Sequence, residues 1–221
     1  MARRKVKAVG SRVSGKLWDV IELELNLTID EPSMIKNWSR RKSQVLQETR
    51  ILDLCETTEI SPYSGKEHSF VFIDSPNWVN LVPVTRHDEI VMIRQYRHGS
   101  QDVTLEIPGG MVDAGESPGV AAMRECEEET GYLATEVHNL GVLNPNPALF
   151  NNALHTYYAF VEESDADAHC SETEVIEVEL VAIDRLESLL LDGSIDHALV
   201  CATLWRFLGS LKGAPRPEPI V

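Results

Sequence analysis

The stretch Gly110–Tyr132, GMVDAGESPGVAAMRECEEETGY, leaves this chain few ways to fold. It predicts a glycine-rich turn followed by a helix with carboxylates crowded on one face. Ser117 suits the N-cap, because its hydroxyl can accept a bond from a free backbone N–H of the first turn. Pro118 then takes the first helical position, where a missing N–H costs nothing. Gly131 ends the helix, since it enters the left-handed conformation without steric cost. At about 100° per residue, Glu125 and Glu129 lie one turn apart on one face with Glu128 beside them, and Glu127 points the other way. Arg124 lies one turn before Glu128, close enough to pair with it.

Like charges on one face destabilise an isolated helix. Two readings answer that cost. One is a solvated acidic face. The other is a site for a hard cation such as magnesium, which takes oxygen ligands and commonly shares them with substrate phosphates. The second is favoured by the Gly109-Gly110 pair and by a further acid, Glu116, standing at a fixed interval before the helix.

The full pattern is Gly110, five residues, Glu116, seven residues, then Arg124-Glu125-Cys126-Glu127-Glu128-Glu129-Thr130-Gly131-Tyr132. It resembles the Nudix box of the Nudix hydrolases. Cys126 and Tyr132 stand where that family usually has aliphatic residues; Cys126 can serve as a small hydrophobe. The resemblance extends over about residues 38–208. It implies an α/β fold, the Nudix α/β/α sandwich with a mixed β-sheet, preceded by an N-terminal β-rich extension. It further implies Mg²⁺ (or Mn²⁺) held by Glu125 and Glu129, with Glu128 as a further ligand or catalytic acid and the Gly109 carbonyl as another contact. Gly110, Glu116, Arg124 and Gly131 would hold the box in shape.

Closely spaced strands separated by polar turns support a mixed or antiparallel sheet. Expected strands are Ile51–Ile60, Ser69–Ile73, Trp78–Thr85, Ile90–Gln95, His155–Val161 and Val175–Ile183. Asp184 is expected to cap a short helix ending near Gly193, and Asp196 to begin a longer one reaching Leu208. His197 reads as a surface residue at that helix start. The expected organisation is an N-terminal extension at 1–37, a β-module at 38–85 contributing to dimer and substrate site, a hydrolase core at 86–210 and a flexible tail at 211–221. Within the extension, Ile21–Leu27 alternates with period two, as a half-buried strand does.

Outside the box, Arg94-Gln95-Tyr96-Arg97 precedes Leu105-Glu106-Ile107-Pro108-Gly109-Gly110. Guanidinium forks match phosphate oxygens, so Arg97 and Arg94 are either diphosphate contacts or ordinary charges at a strand end. This segment is similar to that before the box in ADP-ribose and nucleotide-sugar pyrophosphatases, which implies a substrate-binding role for Arg97, Arg94 and Glu106. In the same branch a proline follows the box by about fifteen residues, and Pro147 stands there. The acidic stretch 162–174 resembles the loop that carries the base in that branch. Glu172 maps to the base and Glu174 to a metal ligand, with Glu162, Glu163 and Asp165 as competing acids. Tyr63, Phe70 and Trp78 are candidates to stack on the nucleobase.

The net charge of −15 argues against binding nucleic acid through a cationic surface. It does not exclude an anionic substrate, because a bound metal reverses the local field. No apolar run approaches the roughly 20 residues of a membrane helix, and the basic start MARRKVKAVGS lacks the apolar core of a secretion signal. Four cysteines without metal-ligand spacing fit reduced thiols in a cytoplasmic protein. The resemblance implies a nucleotide-sugar substrate and a homodimer. A dinucleoside polyphosphate or capped RNA stays open as substrate, as does a ligand-sensing domain without catalysis.

Overall fold

The structure is a computed structural model that describes residues 34–164, 175–212 and 219–220. The chain divides at Asn37/Trp38, and the unit Trp38–Val221 is the one described below. It opens with a three-stranded antiparallel meander of β1 (Ser39–Glu48), β2 (Asp53–Ile60) and β3 (Glu67–Asp74). Then come β4 (Trp78–Val84), β5 (Glu89–Arg97), β6 (Asp102–Glu106), β7 (Gly109–Met111) and helix α1 (Pro118–Thr130). The chain continues through β8 (Tyr132–Ala134), β9 (Val137–Leu143), β10 (Leu154–Glu163), β11 (Ile176–Ala182), α2 (Ile183–Leu191), α3 (Ala198–Leu211) and β12 (Pro219–Ile220).

The second sheet is mixed and has nine strands. Its main path runs β11-β5-β4-β10-β9-β12, with β6 on β5, β7 on β4 and β8 on β10. The parallel pair is β4 with β10, in register from Trp78↔Leu154 to Val84↔Phe160. Strand alternation sorts the core into two layers. Val79 and Leu81 of β4 face Ala121, Ala122 and Cys126 of α1. Val82 and Val84 face the other way, onto Leu186 of α2 and Val200, Leu204 and Phe207 of α3. This is the α/β/α sandwich with a mixed sheet that the sequence implies. Phe207 is 1% exposed, and deleting such a ring costs about 3–5 kcal/mol.

Local signals in the sequence account for α1. Ser117 accepts from the Val120 N–H, Pro118 opens the helix, and Gly131 closes it at φ 73° with its N–H on the Glu127 carbonyl. Elsewhere expectation and structure differ. The glycine pair is not a turn: Gly109 and Gly110 form β7, opposite Asn80 and Val79 of β4. Strand β1 went unread because SRRKSQVLQE has no apolar alternation, and every one of its residues is exposed. Asp184 does not cap α2. The helix follows β11 without a loop, its cap residue is Ala182, and Asp184 sits in the first turn, where its charge complements the dipole. His197, not Asp196, caps α3. Strand β4, grouped at sequence level with the module 38–85, hydrogen-bonds into the larger sheet. The strand expected at Ile21–Leu27 lies outside the described residues. No described helix is long and apolar enough to cross a membrane.

Cys126 is fully buried against the sheet, and burial pushes its thiol up to about 12. The thiolate is the reactive form. Native protein treated with iodoacetamide at pH 8 therefore leaves Cys126 unmodified, and denatured protein does not. Peptide mapping by mass spectrometry reads the difference, and labelling of Cys126 in the native state would contradict its packing.

Candidate active site

Arg124 is the hub of the acidic helix. Its Nε and Nη2 donate to the two oxygens of Glu116 at 3.0 and 3.1 Å. Its Nη1 donates to Glu125 at 2.9 Å and to Glu128 at 3.0 Å, and its Nη2 also reaches the Met111 carbonyl at 3.2 Å. One cation thus serves three carboxylates and ties α1 to β7 and the loop after it. The Arg124 bonds hold the Glu116 carboxyl below its ordinary value, aided by the Asp113 N–H. The same acids raise the Arg124 guanidinium further above neutrality.

Glu129, 7% exposed, accepts the Gly109 N–H at 2.9 Å. The two glycines are required here by space. A Cβ on Gly109 would stand against the Val79 carbonyl oxygen and 2.6 Å from Asn80 Oδ1, and one on Gly110 would meet the Glu125 carboxylate. Backbone approach this close needs glycine. Gly109 and Gly110 also line a cleft of ≈ 300 Å³ whose wall includes Trp78, Arg97, Glu106 and His197. The glycine strand therefore joins the acidic helix face to the cleft.

On the cleft wall, Arg97 donates from Nε and Nη2 to the two oxygens of Glu106, both at 2.7 Å. Glu106 is 2% exposed. Burial pushes its carboxyl up, but the Arg97 fork and the Thr104 hydroxyl outweigh burial and leave it below the ordinary carboxyl value. Burying a carboxylate is tolerable when it is ion-paired and hydrogen-bonded in this way.

Of the residues singled out by sequence, Gly109, Gly110, Arg97 and Glu106 line the cleft, and Glu125, Glu128 and Glu129 stand on α1 beside it. Arg94 is not on that wall; it pairs with Glu179 of β11 at 2.7 Å. Pro147 is exposed on the loop after β9, which docks by hydrogen bonds from Ile73 N to the Leu149 carbonyl and from Asn151 N to the Ile73 carbonyl. Glu172, Glu174 and Asp165 lie outside the described residues. Glu163 accepts the Tyr132 hydroxyl at 3.1 Å. Trp78 lines the cleft and leans on Phe150, ring centroids 5.5 Å apart, whereas Tyr63 and Phe70 are exposed in and near the meander.

One cleft residue, Asn80, escaped the sequence reading, and another, His197, was expected at the surface of a helix start and instead lines the cleft. Asn80 is a buried amide on an otherwise apolar strand, and its Nδ2 donates to Thr203 Oγ1 at 3.2 Å and the Leu199 carbonyl at 3.4 Å, clasping α3. The lone polar residue in WVNLVPV was the available signal. His197 carried no signal beyond its place before a helix. Among the described residues, no three or more His, Cys, Asp or Glu side chains are gathered closely enough to hold a metal ion between them.

The depressed carboxyls make stability depend on acid. Glu106 and Glu116 have folded values below their unfolded ones, so their stabilisation is present above about pH 4.5 and is lost as pH falls through the folded values. Glu106→Gln removes one of these groups and leaves Arg97 with a neutral partner. It should lower stability at pH 7 by about 1–3 kcal/mol and flatten the loss of stability as the pH falls below the ordinary carboxyl range. Urea unfolding as a function of pH measures both effects, and an unchanged pH profile would contradict the pairing.

Comparison with known proteins agrees with this geometry. The NUDIX domain family matches residues 75–204. The ADP-ribose pyrophosphatase of Bacillus subtilis is 31% identical over 111 residues, which are 50% of this chain and 59% of that protein. This chain therefore spans less than two thirds of that relative's length. A CMP-5'-(N-acetyl-N-hydroxy-3-aminopropyl)phosphonate hydrolase of Streptomyces rubellomurinus is 29% identical over 183 residues, 82% of this chain and 86% of that protein. The crystal structure of an ADP compounds hydrolase superposes with a TM-score of 0.72, covering 84% of this chain and 100% of that one at 22% identity, which is a likeness of fold. With its acidic helix, glycine strand and sandwich in place, this chain belongs to the NUDIX family.

Proposed function

We propose that this protein is a pyrophosphatase that hydrolyses the diphosphate of nucleoside diphosphate sugars, with ADP-ribose split to AMP and ribose 5-phosphate as its first candidate reaction. GDP-mannose and other nucleotide sugars belong to the same class. The observation that carries this reading is the junction at Gly109-Gly110, where an acidic helix face meets a cleft walled by Arg97. The Bacillus subtilis relative, an ADP-ribose pyrophosphatase, supports the choice of substrate.

Mg²⁺ or Mn²⁺ is the cofactor of this reading, and the donor chemistry fits it. Glu125 and Glu128 already share one cation, Arg124 Nη1, at 2.9 and 3.0 Å, and all the donors are hard oxygens. Glu125 and Glu129 would be the principal ligands, Glu128 a further one, with Glu174 and the Gly109 carbonyl completing the set. When bound, the ion neutralises phosphoryl oxygens and lowers the pKa of a coordinated water. The chain's own residues do the rest. Arg124 and the Gly109 N–H orient the carboxylates, since partners of this kind fix ligand geometry. Arg97, steadied by Glu106, faces the charge that grows on the phosphoryl oxygens. Of the three candidate rings, this reading assigns the base to Trp78, supported by its place on the cleft wall. Glu172 takes the proton of the attacking water, which needs hydrogen-bond reach to it.

A homodimer is part of the same reading. Its support is the exposed meander, where Val45, Leu46, Ile51, Phe70 and Val71 are each more than two fifths exposed. Sedimentation equilibrium should give twice the chain mass. A cytoplasmic location goes with it.

A second reading has one observation in its favour: the relative aligned over 82% of this chain acts on a CMP-linked phosphonate. The deciding assay offers ADP-ribose, GDP-mannose, a CMP-linked phosphonate and diadenosine tetraphosphate with Mg²⁺. Preference for ADP-ribose or another nucleotide sugar supports the first reading. Preference for the phosphonate supports the second, and binding without turnover replaces both by a sensing domain. In the active protein, Glu129→Gln should reduce kcat/KM by about 100-fold or more with an unchanged melting temperature. Glu172→Gln should lower kcat while KM holds; if Glu162→Gln does so instead, the base is misassigned.

A further inference from the structure

The first turn of α3 forms part of the cleft, and His197 stands at its tip. A second cleft, of ≈ 420 Å³, is lined by Arg97, His98, Ser100, Thr104, Asp196 and His197, along with Gly99. Arg97 and His197 are the two residues common to it and to the cleft at Gly109-Gly110. They mark the place where the two spaces adjoin.

The imidazole at this junction has a defined tautomer. His197 Nδ1 accepts the Val200 N–H at 3.4 Å as the N-cap of α3. A backbone N–H needs a lone pair, so the neutral ring carries its proton on Nε2. Nε2–H is then the polar group that the ring offers to the clefts. The backbone beneath is held independently: Asn80 clasps α3 through Thr203 and Leu199, two residues beyond His197. Asn80 also lies under Gly109. The position of His197 is thereby referred to the glycine strand that adjoins the acidic helix.

We infer that His197 is a substrate-contacting residue, whose Nε2–H donates to a non-bridging phosphoryl oxygen of the diphosphate beside Arg97, with the group beyond that phosphate passing into the second cleft. This rests on the pyrophosphatase reading above. Arg97 beside His197 supplies charge to the same oxygens, and the ring supplies a directed N–H. His197 is thus a binding residue, with no part in moving the water's proton.

The test separates capping from contact. Asparagine is a strong N-cap; with its Oδ1 on the Val200 N–H in place of Nδ1, its Nδ2 takes the place of the ring Cδ2, one bond short of Nε2. His197→Asn therefore keeps the helix start and withdraws the donor from the phosphoryl oxygen, whereas His197→Ala removes both. With ADP-ribose and Mg²⁺, His197→Asn should raise KM about tenfold or more, as loss of a bond to a charged acceptor does, while kcat stays within about twofold. Its melting temperature should equal that of the wild type, and His197→Ala should melt lower with a similar rise in KM. A purely structural His197 gives the opposite pattern, with His197→Asn normal in KM and His197→Ala impaired through stability alone; that result overturns the inference and leaves the pyrophosphatase reading standing. A wild-type protein that neither turns over nor binds any diphosphate substrate overturns both.

Discussion

The site depends first on Arg124. Three carboxylates, one on the loop and two on the helix that follows it, repel one another when brought together, and a single guanidinium compensates Glu116, Glu125 and Glu128 at once. Its geometry matters as much as its charge. The planar fork bonds to the loop acid and the helix acids in different directions, and the Met111 carbonyl fixes the end of β7 to the same group. A lysine in its place would neutralise but would not align.

The rest of the site is built outward from that tie. In the glycine strand β7 a side chain at Gly109 is excluded by β4 and one at Gly110 by Glu125 of α1, and the Gly109 N–H holds Glu129. Beneath it, Asn80 passes the position of β4 to α3. Arg97 and Glu106 are joined across β5 and β6, two strands that pair in register. Helix, glycine strand, cleft wall and C-terminal helix are thus connected by hydrogen bonds from elements that also pack the two core layers.

Much of this was legible in the sequence because the box encodes it locally. Cap, first-turn proline, terminal glycine and carboxylate spacing all act within one helix, and each stands where the pattern put it. The cleft wall was half legible: Arg97 and Glu106 were singled out by a family resemblance, but their mutual pairing depends on strand register, which no local pattern gives. Arg94 looked equivalent to Arg97 in the chain, yet it pairs with Glu179 of a strand far along the sequence. The place of His197 on the cleft and the clasp made by Asn80 were illegible for the same reason, since both depend on contacts between distant segments. Strand β1 was missed because an exposed edge strand carries no amphipathic signature.

The parallel pairing of β4 with β10 has a consequence for biosynthesis. Asn77 and Ala153, which bond just before these strands begin, are separated by 76 residues. At about 5–20 residues per second on the ribosome, β4 emerges roughly 4–15 s before the strand that covers its open edge. The meander ahead of it closes through neighbouring hairpins and need not wait. For that interval the nascent chain carries an apolar strand, WVNLVPV, with one side unpaired. That open edge presents the N–H groups in phase with Trp78, which donates to the Ala153 carbonyl, whereas Leu81 donates to Pro108 on the other side; Pro83, in phase with Leu81, leaves the donors of the open edge complete.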